Sequence, residues 1–243
     1  MSGRTSRSRG RSARQSSARE SIETAPKPTT KDLLIATSEQ LFGRSGIDGV
    51  SLREIGAAAG QTNSNVVQYH FSSKRGLIRA IMNDRLRRLE VVRRERLEAL
   101  AGARGARQPR EALRLLWGPL MSVQGAEGDH TFCRFLLQYL LQPQGPEHPS
   151  RDVAAYNRSR RTPPELSVLG ISRRLLRGHC KVLPASIFNA RLTALSMMFL
   201  SAVVEHDNAR LLAPRVTNHP FDLEPILDMA IAALAAPVTK RRR

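Results

Sequence analysis

The sequence has few cysteines and no long uninterrupted apolar run. Its two cysteines, Cys133 and Cys180, lie far apart and no CxxC pair occurs. This pattern argues against a disulfide framework and a structural zinc site, and it is typical of a reducing cytoplasm. No apolar run approaches the ~20 residues of a membrane-spanning helix, and the N-terminus lacks the apolar segment of a secretory signal. We therefore expect a cytoplasmic protein with no membrane partner.

Motifs of enzymes and metal sites are also missing. The sequence contains no His-x-x-x-His, GxSxG, phosphate-binding loop or glycine-rich dinucleotide fingerprint. His179 and Cys180 are adjacent, as are His206 and Asp207, and adjacent residues cannot present two metal ligands from one helix face. We therefore predict no catalytic residues, no metal and no cofactor, and hence no enzyme. The histidines expected to be solvated in loops or at helix starts are His130, His148 and His219.

Positive charge is what the chain has in excess. It carries 39 Lys and Arg against 21 Asp and Glu, a formal net charge of +18 with a pI near 11.4, which favours a polyanionic partner. Residues 1–28 are rich in Ser, Arg, Gly and Pro, so we predict a disordered arm there. Residues 237–243 form a basic tail. About half of the excess charge lies in these two ends, and the rest lies between them.

Residue 29 marks a change from this polar texture to helical spacing of apolar residues. Thr29 or Thr30 is a candidate N-cap of the first helix, which Gly46 ends. Ser51 can cap a second, short helix, with Glu54 as its capping-box partner and Gly60 as its terminator.

A third helix is predicted from about residue 63 or 64 to residue 70, with Val66 and Tyr69 on its core-facing side. A fourth, with Ser72 or Ser73 as its cap, runs to about Leu100. The rest of the chain predicts further helices, among them one beginning at Pro109. No alternating strand pattern of useful length occurs, and the predicted class is all-α.

The third helix has an unusual polar face. Asparagine, serine and glutamine are its polar residues, where a solvated helix more often carries Glu and Lys. Such side chains suit base edges and phosphates. A short capped helix, a glycine turn and this helix together form the arrangement of a helix-turn-helix, whose second helix enters the major groove of DNA.

Residues 29–89 resemble the DNA-binding domain of the TetR/AcrR-like family of bacterial transcriptional regulators. The segments that carry the resemblance are "LLIATSEQLFGRSGIDGVSLREIGAAAG" and "QYHFSSKRGLIRAI". The turn departs from the commoner family pattern by one extra residue between Gly60 and Phe71, and Gln61 and Val67 stand where valine and tyrosine are common. The resemblance implies a three-helix DNA-binding domain joined by a long helix to a helical ligand-binding and dimerisation domain, residues 90–236. It also implies a DNA-binding regulator that acts as a repressor.

The same resemblance implies which residues contact DNA. Ser51 and Arg53 correspond to phosphate-facing positions of the second helix, and Lys74 to a phosphate contact at the start of helix four. Tyr69 and His70 correspond to further phosphate contacts, although both could instead be packing residues between helices three and four. The predicted reading surface comprises Thr62, Asn63, Ser64, Asn65 and Gln68.

Residues 90–236 carry the predictions of a ligand pocket and a dimer interface. Large adaptable side chains are candidates to line a small-molecule inducer pocket, although such residues are more often plain core. These candidates are Trp117, Met121, Phe132, Phe135, Tyr139 and Met198. Two apolar-striped helices, near 184–209 and 221–236, are where family members pair as homodimers, and a dimer doubles the contacts with a palindromic operator. The alternative is that both stripes are buried inside one subunit.

A second class of function is compatible with the composition. A nonspecific nucleic-acid-binding or membrane-surface protein could use the basic ends alone, with the helical body as an interaction module. The two classes differ in specificity, because only a regulator distinguishes an operator from random double-stranded DNA.

Overall fold

The computed structural model describes residues 28–63, 65–100, 108–125, 128–142, 168–213 and 219–238. Within these ranges the chain is helical and contains no strand, which confirms the all-α class. The predicted arm (apart from Pro28), Ser64, His148 and most of the basic tail lie outside the described residues. The helices are α1 (Thr30–Ser45), α2 (Leu52–Ala58), α3 (Val66–Phe71), α4 (Lys74–Leu100), α5 (Pro109–Trp117), α6 (Thr131–Leu140), α7 (Val168–His179), α8 (Ala185–Leu212) and α9 (Glu224–Ala235), with a 3-10 turn at Gly118–Ser122.

Capping residues start the first two helices as predicted. The Thr29 hydroxyl accepts a hydrogen bond from the Asp32 amide at 3.2 Å, and the Asp32 carboxylate accepts from the Thr29 amide at 3.0 Å. Ser51 and Glu54 form the same reciprocal pair at the start of α2, at 3.2 and 2.7 Å. These capping boxes satisfy amides that would otherwise have no partner in the first turn. Pro109 opens α5, also as predicted.

Helix α3 begins later than the sequence predicted. Its first residue is Val66, and just before it the Asn63 side chain accepts a hydrogen bond from the Asn65 amide at 2.9 Å, a local bond that competes with helix formation. The predicted inward face was also wrong in part. Val66 and Val67 are buried, whereas Tyr69 is 83% exposed.

Helix α4 connects the N-terminal helices to the rest of the molecule. The Ser73 hydroxyl accepts from the Gly76 amide at 3.0 Å, so Ser73 is the cap. An ion pair fixes α4 against α1, because Arg85 donates two hydrogen bonds to the Glu39 carboxylate at 2.6 and 2.8 Å. The face of α4 that is buried comprises Leu77, Ile78, Ile81, Met82, Leu86, Leu89 and Arg93.

Helix α1 also packs directly against α6. Phe42 and Phe135 lie with ring centroids 6.3 Å apart. A Cβ atom at Gly43 would lie 3.2 Å from the backbone nitrogen of Phe135, so the lack of a side chain lets the two backbones approach. The N-terminal helices therefore contact the C-terminal helices at α6 as well as through α4.

Helix α8 is the central helix of the C-terminal part. Its buried stripe includes Phe188, Leu192 and Phe199, and the Phe199 ring stacks on Trp117 of α5 with centroids 5.1 Å apart. Among the described helices, α8 alone is long and apolar enough to cross a membrane by length and composition. The sequence criterion of an uninterrupted apolar run missed it because Arg191 lies within the helix. The core helix of a soluble protein meets the same standard, so this finding is weak evidence for a membrane span.

Candidate nucleic-acid interface

The turn between α2 and α3 positions the candidate reading surface. Gly60 has a φ of 71°, a left-handed conformation that glycine adopts without strain and that ends α2 as predicted. The Gln61 amide donates to the carbonyl of Gly56 at 3.0 Å, and the Gln61 side chain donates to the Ala59 carbonyl at 3.1 Å. Gln61 is thus used within the turn, which leaves the residues after it for other contacts.

Helix α3 packs against α2 at Gly56. A Cβ atom at Gly56 would lie 3.5 Å from a methyl carbon of Val66 and 4.0 Å from one of Val67. Both valines and Phe71 are buried. The apolar side of α3 is therefore fully occupied by packing, and its other side is open to solvent.

The open side gathers most of the predicted DNA-contacting residues. Ser51, Arg53, Thr62, Asn63, Asn65, Gln68, Tyr69 and His70 are all exposed on α2, the turn and α3. Tyr69 and His70 contact each other edge to face, with centroids 5.1 Å apart. Because both rings are exposed, the alternative that they pack between α3 and α4 does not hold.

Charged groups surround this polar face. Lys74 begins α4, where its ammonium lies 3.5 Å from the Asp48 carbonyl oxygen and 5.8 Å from the centroid of the Phe42 ring. The Ser51 backbone amide and hydroxyl lower the pKa of Glu54 by hydrogen bonding, and the Thr29 hydroxyl and amide lower the pKa of Asp32. Both carboxylates stay ionised in their capping roles, and the positive charge of Lys74 acts on Glu54 in the same direction.

Five of the six pocket residues predicted from the sequence lie in three different places. A cavity of about 190 Å³ lies between α4, α5, α6, α7 and α8, and Trp117 and Phe132 line it. Phe135 and Tyr139 instead stack on each other, 5.9 Å apart, in the cluster that meets Phe42 of α1. Met121 borders a second, polar cleft of about 340 Å³, and Met198 lines neither of these cavities.

Sequence reasoning missed the charged and polar members of the first cavity. Arg93 of α4 is 4% exposed and lines it, together with Arg173 and Ser196. Arg93 follows Leu86 and Leu89 on the same face of α4, so a basic residue within an apolar stripe was the signal available in the sequence.

His130 is buried, and its predicted place in solvent was wrong. It is 3% exposed, with its backbone amide 2.7 Å from one Asp207 carboxylate oxygen and its Nδ1 2.9 Å from the other. The Nε2 atoms of His130 and His206 are buried and have no hydrogen-bond partner among the described residues, and both residues border the polar cleft. Burial pushes the pKa of Asp207 up, but the hydrogen bonds from His130 outweigh it and lower that pKa.

The described residues offer little for metal or nucleophile chemistry. They contain no group of three or more His, Cys, Asp or Glu side chains placed to hold a metal ion. Both cysteines are free, and burial raises the pKa of the Cys133 thiol, which disfavours the reactive thiolate. Among the described residues, the exposed polar face of α3 is therefore the main candidate for a functional site.

Comparisons with known proteins agree with this arrangement. Residues 34–81 match the sequence model of bacterial regulatory proteins of the tetR family. A solved structure from Shewanella sp. PV-4, described as a tetR family transcription regulator, is 17% identical with a TM-score of 0.54, over 85% of this chain and 96% of that one. It shows the same fold.

Two further structures are similar at lower scores. A TetR family transcriptional regulator from Thermus thermophilus is 19% identical over 87% of this chain and 98% of that one, with a TM-score of 0.44. One from Vibrio parahaemolyticus is 17% identical over 84% and 98%, also at 0.44. No curated protein sequence matches the chain. The sequence match thus places a domain similar to that of the tetR family of bacterial regulatory proteins at residues 34–81, the part of the chain that contains the helix-turn-helix.

Proposed function

We propose that the protein is a ligand-responsive repressor that binds a palindromic operator as a homodimer in the bacterial cytoplasm. The observation that carries this proposal is the two-sided character of α3. Its valines are buried against α2, while Gln68 and the neighbouring Asn65 are exposed and uncharged. Glutamine and asparagine can each make two hydrogen bonds to an adenine edge in the major groove.

Positively charged and hydroxyl side chains around α3 are proposed to bind the DNA backbone. Arg53 and Lys74 bring charge, and the Ser51, Tyr69 and His70 side chains supply hydrogen bonds. Contacts of this kind fix the orientation of the reading helix without selecting the sequence. In this proposal, Thr62, Asn63, Asn65 and Gln68 read the bases, together with Ser64.

A homodimer is supported by the unused faces of the last two helices. On α8, Ala190, Ala194 and Ser201 lie along an exposed stripe opposite the buried one, and Met229 of α9 is 53% exposed. Small side chains allow helices of two subunits to approach closely, and a two-fold symmetric pair of reading helices matches a palindrome. Analytical ultracentrifugation should give a dimer for the wild type and a monomer for Ala194→Arg.

The ligand response is proposed to pass through α4. The same helix carries Lys74 at the reading end and Arg93 at the cavity, so a molecule in the cavity can change the position of the reading helices. Only a difference in ligand affinity between the two arrangements drives such a change, typically ~1–3 kcal/mol of coupling free energy.

The deciding experiment compares the DNA upstream of the protein's own gene with random DNA. At near-physiological salt, fluorescence anisotropy should show a specificity ratio of at least ~10³. A ratio near one would favour the nonspecific basic protein and would end the repressor proposal.

A further inference from the structure

Arg93 is a buried cation in the wall of an otherwise mostly apolar cavity. It is 4% exposed, on the inner face of α4. Burial lowers its pKa to about 10, which still leaves the guanidinium charged at neutral pH. A buried charge without a counter-ion is costly for a protein unless something compensates it.

The protein compensates Arg93 only in part. Its Nε donates to the Leu115 carbonyl at 3.3 Å and its Nη2 to the Leu116 carbonyl at 3.2 Å. These are among the last carbonyls of α5, so the negative end of that helix offsets some of the charge. The Glu90 carboxylate favours the charged form of Arg93 but forms its ion pair with Arg94, and no carboxylate of the described residues forms an ion pair with Arg93. The Nη1 atom of Arg93 donates no hydrogen bond to the described residues. Arginine has five N–H donors, so donors remain for a ligand.

The rest of the cavity wall indicates what kind of molecule fits beside this charge. The stacked rings of Trp117 and Phe199 form one side, and Leu86, Leu89 and Leu120 are among the aliphatic residues. The cavity volume of about 190 Å³ exceeds the ~150 Å³ of an apolar protein cavity that binds benzene. An aromatic ring with a short acidic side chain is therefore of the right size.

We propose that this cavity binds a small organic monoanion with an apolar, ring-sized body, and that Arg93 forms the ion pair with its carboxylate. This inference rests on the proposed function, because it identifies the chemical class of the effector of the same regulator. Arginine matches a carboxylate with paired hydrogen bonds, and burial strengthens the pairing. Because Arg93 belongs to α4, a ligand that pairs with it binds directly to the helix that leads to the proposed DNA-contacting residues.

The test uses phenylacetate and its uncharged match, phenylacetamide, with the full-length protein at neutral pH. Trp117 is the single tryptophan of the chain and lines the cavity, so its fluorescence reports binding at this site. We expect phenylacetate to bind the wild type about tenfold or more tightly than phenylacetamide, as for a hydrogen-bonded charge pair. Equal binding of the two compounds, or no fluorescence change with either, would overturn the proposal.

Substitutions of two arginines on the same helix locate the charge that matters. Arg93→Met should abolish the preference for the acid, whereas Arg94→Met, at an exposed position, should keep it. Arg93→Lys retains a charge and should retain part of the preference, which keeps the test informative if Arg93→Met is poorly folded by circular dichroism. A preference that survives in folded Arg93→Met would overturn the pairing with Arg93 and assign it to Arg173, the other arginine that lines the cavity.

Failure of this inference can be distinguished from failure of the proposed function. Specific operator binding by the unliganded protein tests the regulator without any ligand. If that specificity holds while phenylacetate shows no preference, the effector class is wrong and the regulator stands. If phenylacetate binds through Arg93 but operator specificity is absent, the cavity chemistry stands and the repressor proposal fails.

Discussion

The α2–α3 end and the cavity in the C-terminal body place their proposed functional residues in opposite environments. Around α3 these side chains are exposed and polar, with Tyr69 at 83% exposure, and they are held by a turn a few residues long. In the body, Trp117 and Arg93 are nearly inaccessible to solvent, and the cavity that they line is formed by helices from α4 to α8. The comparison predicts that changes at the first end alter DNA binding and leave stability unchanged, whereas changes in the body alter stability first.

The largest effect is expected from Trp117→Ala. Trp117 is 1% exposed and stacks on Phe199, so its removal leaves a large void in the core. Truncation of a buried aromatic residue costs about 3–5 kcal/mol of unfolding free energy. Urea denaturation should show this loss, whereas Leu212→Ala, at an 87% exposed position, should change stability by less than ~0.5 kcal/mol. Similar losses for both would remove the contrast between buried and exposed positions.

Gln68→Ala tests the opposite half of the comparison. If Gln68 makes a bidentate contact, its loss should weaken binding at particular base pairs by ~1–3 kcal/mol. The melting temperature should stay at the wild-type value because Gln68 is exposed. Gln40→Ala, at an exposed position of α1 beside a different cleft, is the matched control and should bind operator normally. An equal loss on operator and random DNA would mean that Gln68 reads no base.

Deletion of residues 1–28 asks whether charge outside the helices adds to the reading end. The segment carries seven Lys and Arg residues. For every phosphate that the shortened protein no longer neutralises, the slope of log affinity against log salt should become shallower by about 0.9. Binding should weaken equally on all sequences. An unchanged slope would assign the salt dependence to the folded residues alone.

The smallest effect is a pH dependence in the body. Burial and then His219 lower the pKa of His206, with Arg210 and His130 acting in the same direction and Asp207 opposing them. A base with a lowered folded-state pKa contributes stability that is full above its ordinary pKa of 6.5 and is lost as pH falls through that value towards the folded pKa. As the pH is lowered from 7.5 to 5, the melting temperature should decrease less steeply for His206→Asn than for the wild type. Parallel curves would contradict the prediction.

Local signals account for what the sequence predicted well. Thr29, Ser51, Gly60 and Pro109 mark helix ends at the residues expected, because caps and terminators act within a few residues of their own position. The start of α3 was wrong because the bond from the Asn65 amide to the Asn63 side chain is one of several local options that these residues have.

The placements that the sequence did not reveal depend on distant contacts. Phe135 and Tyr139 belong to a cluster with α1, since α1 packs on one face of α6, and nothing in the spacing of α6 specifies that partner. His130 is buried by Asp207, 77 positions away. A charged residue within an apolar stripe, such as Arg93, is a local sequence signal that can indicate a cavity formed by several helices.

The missing side chain at Gly43 has a mechanical consequence. Since α1 contacts the backbone of α6 there, the N-terminal helices are held to the C-terminal part both by α4 and by the contact between α1 and α6. A shift of α4 alone would strain the contact between α1 and α6. In the proposed ligand response, we therefore expect α1 to move relative to α6 when α4 shifts. Even a methyl group at position 43 would crowd the contact between α1 and α6, far from the proposed DNA-binding and effector-binding sites.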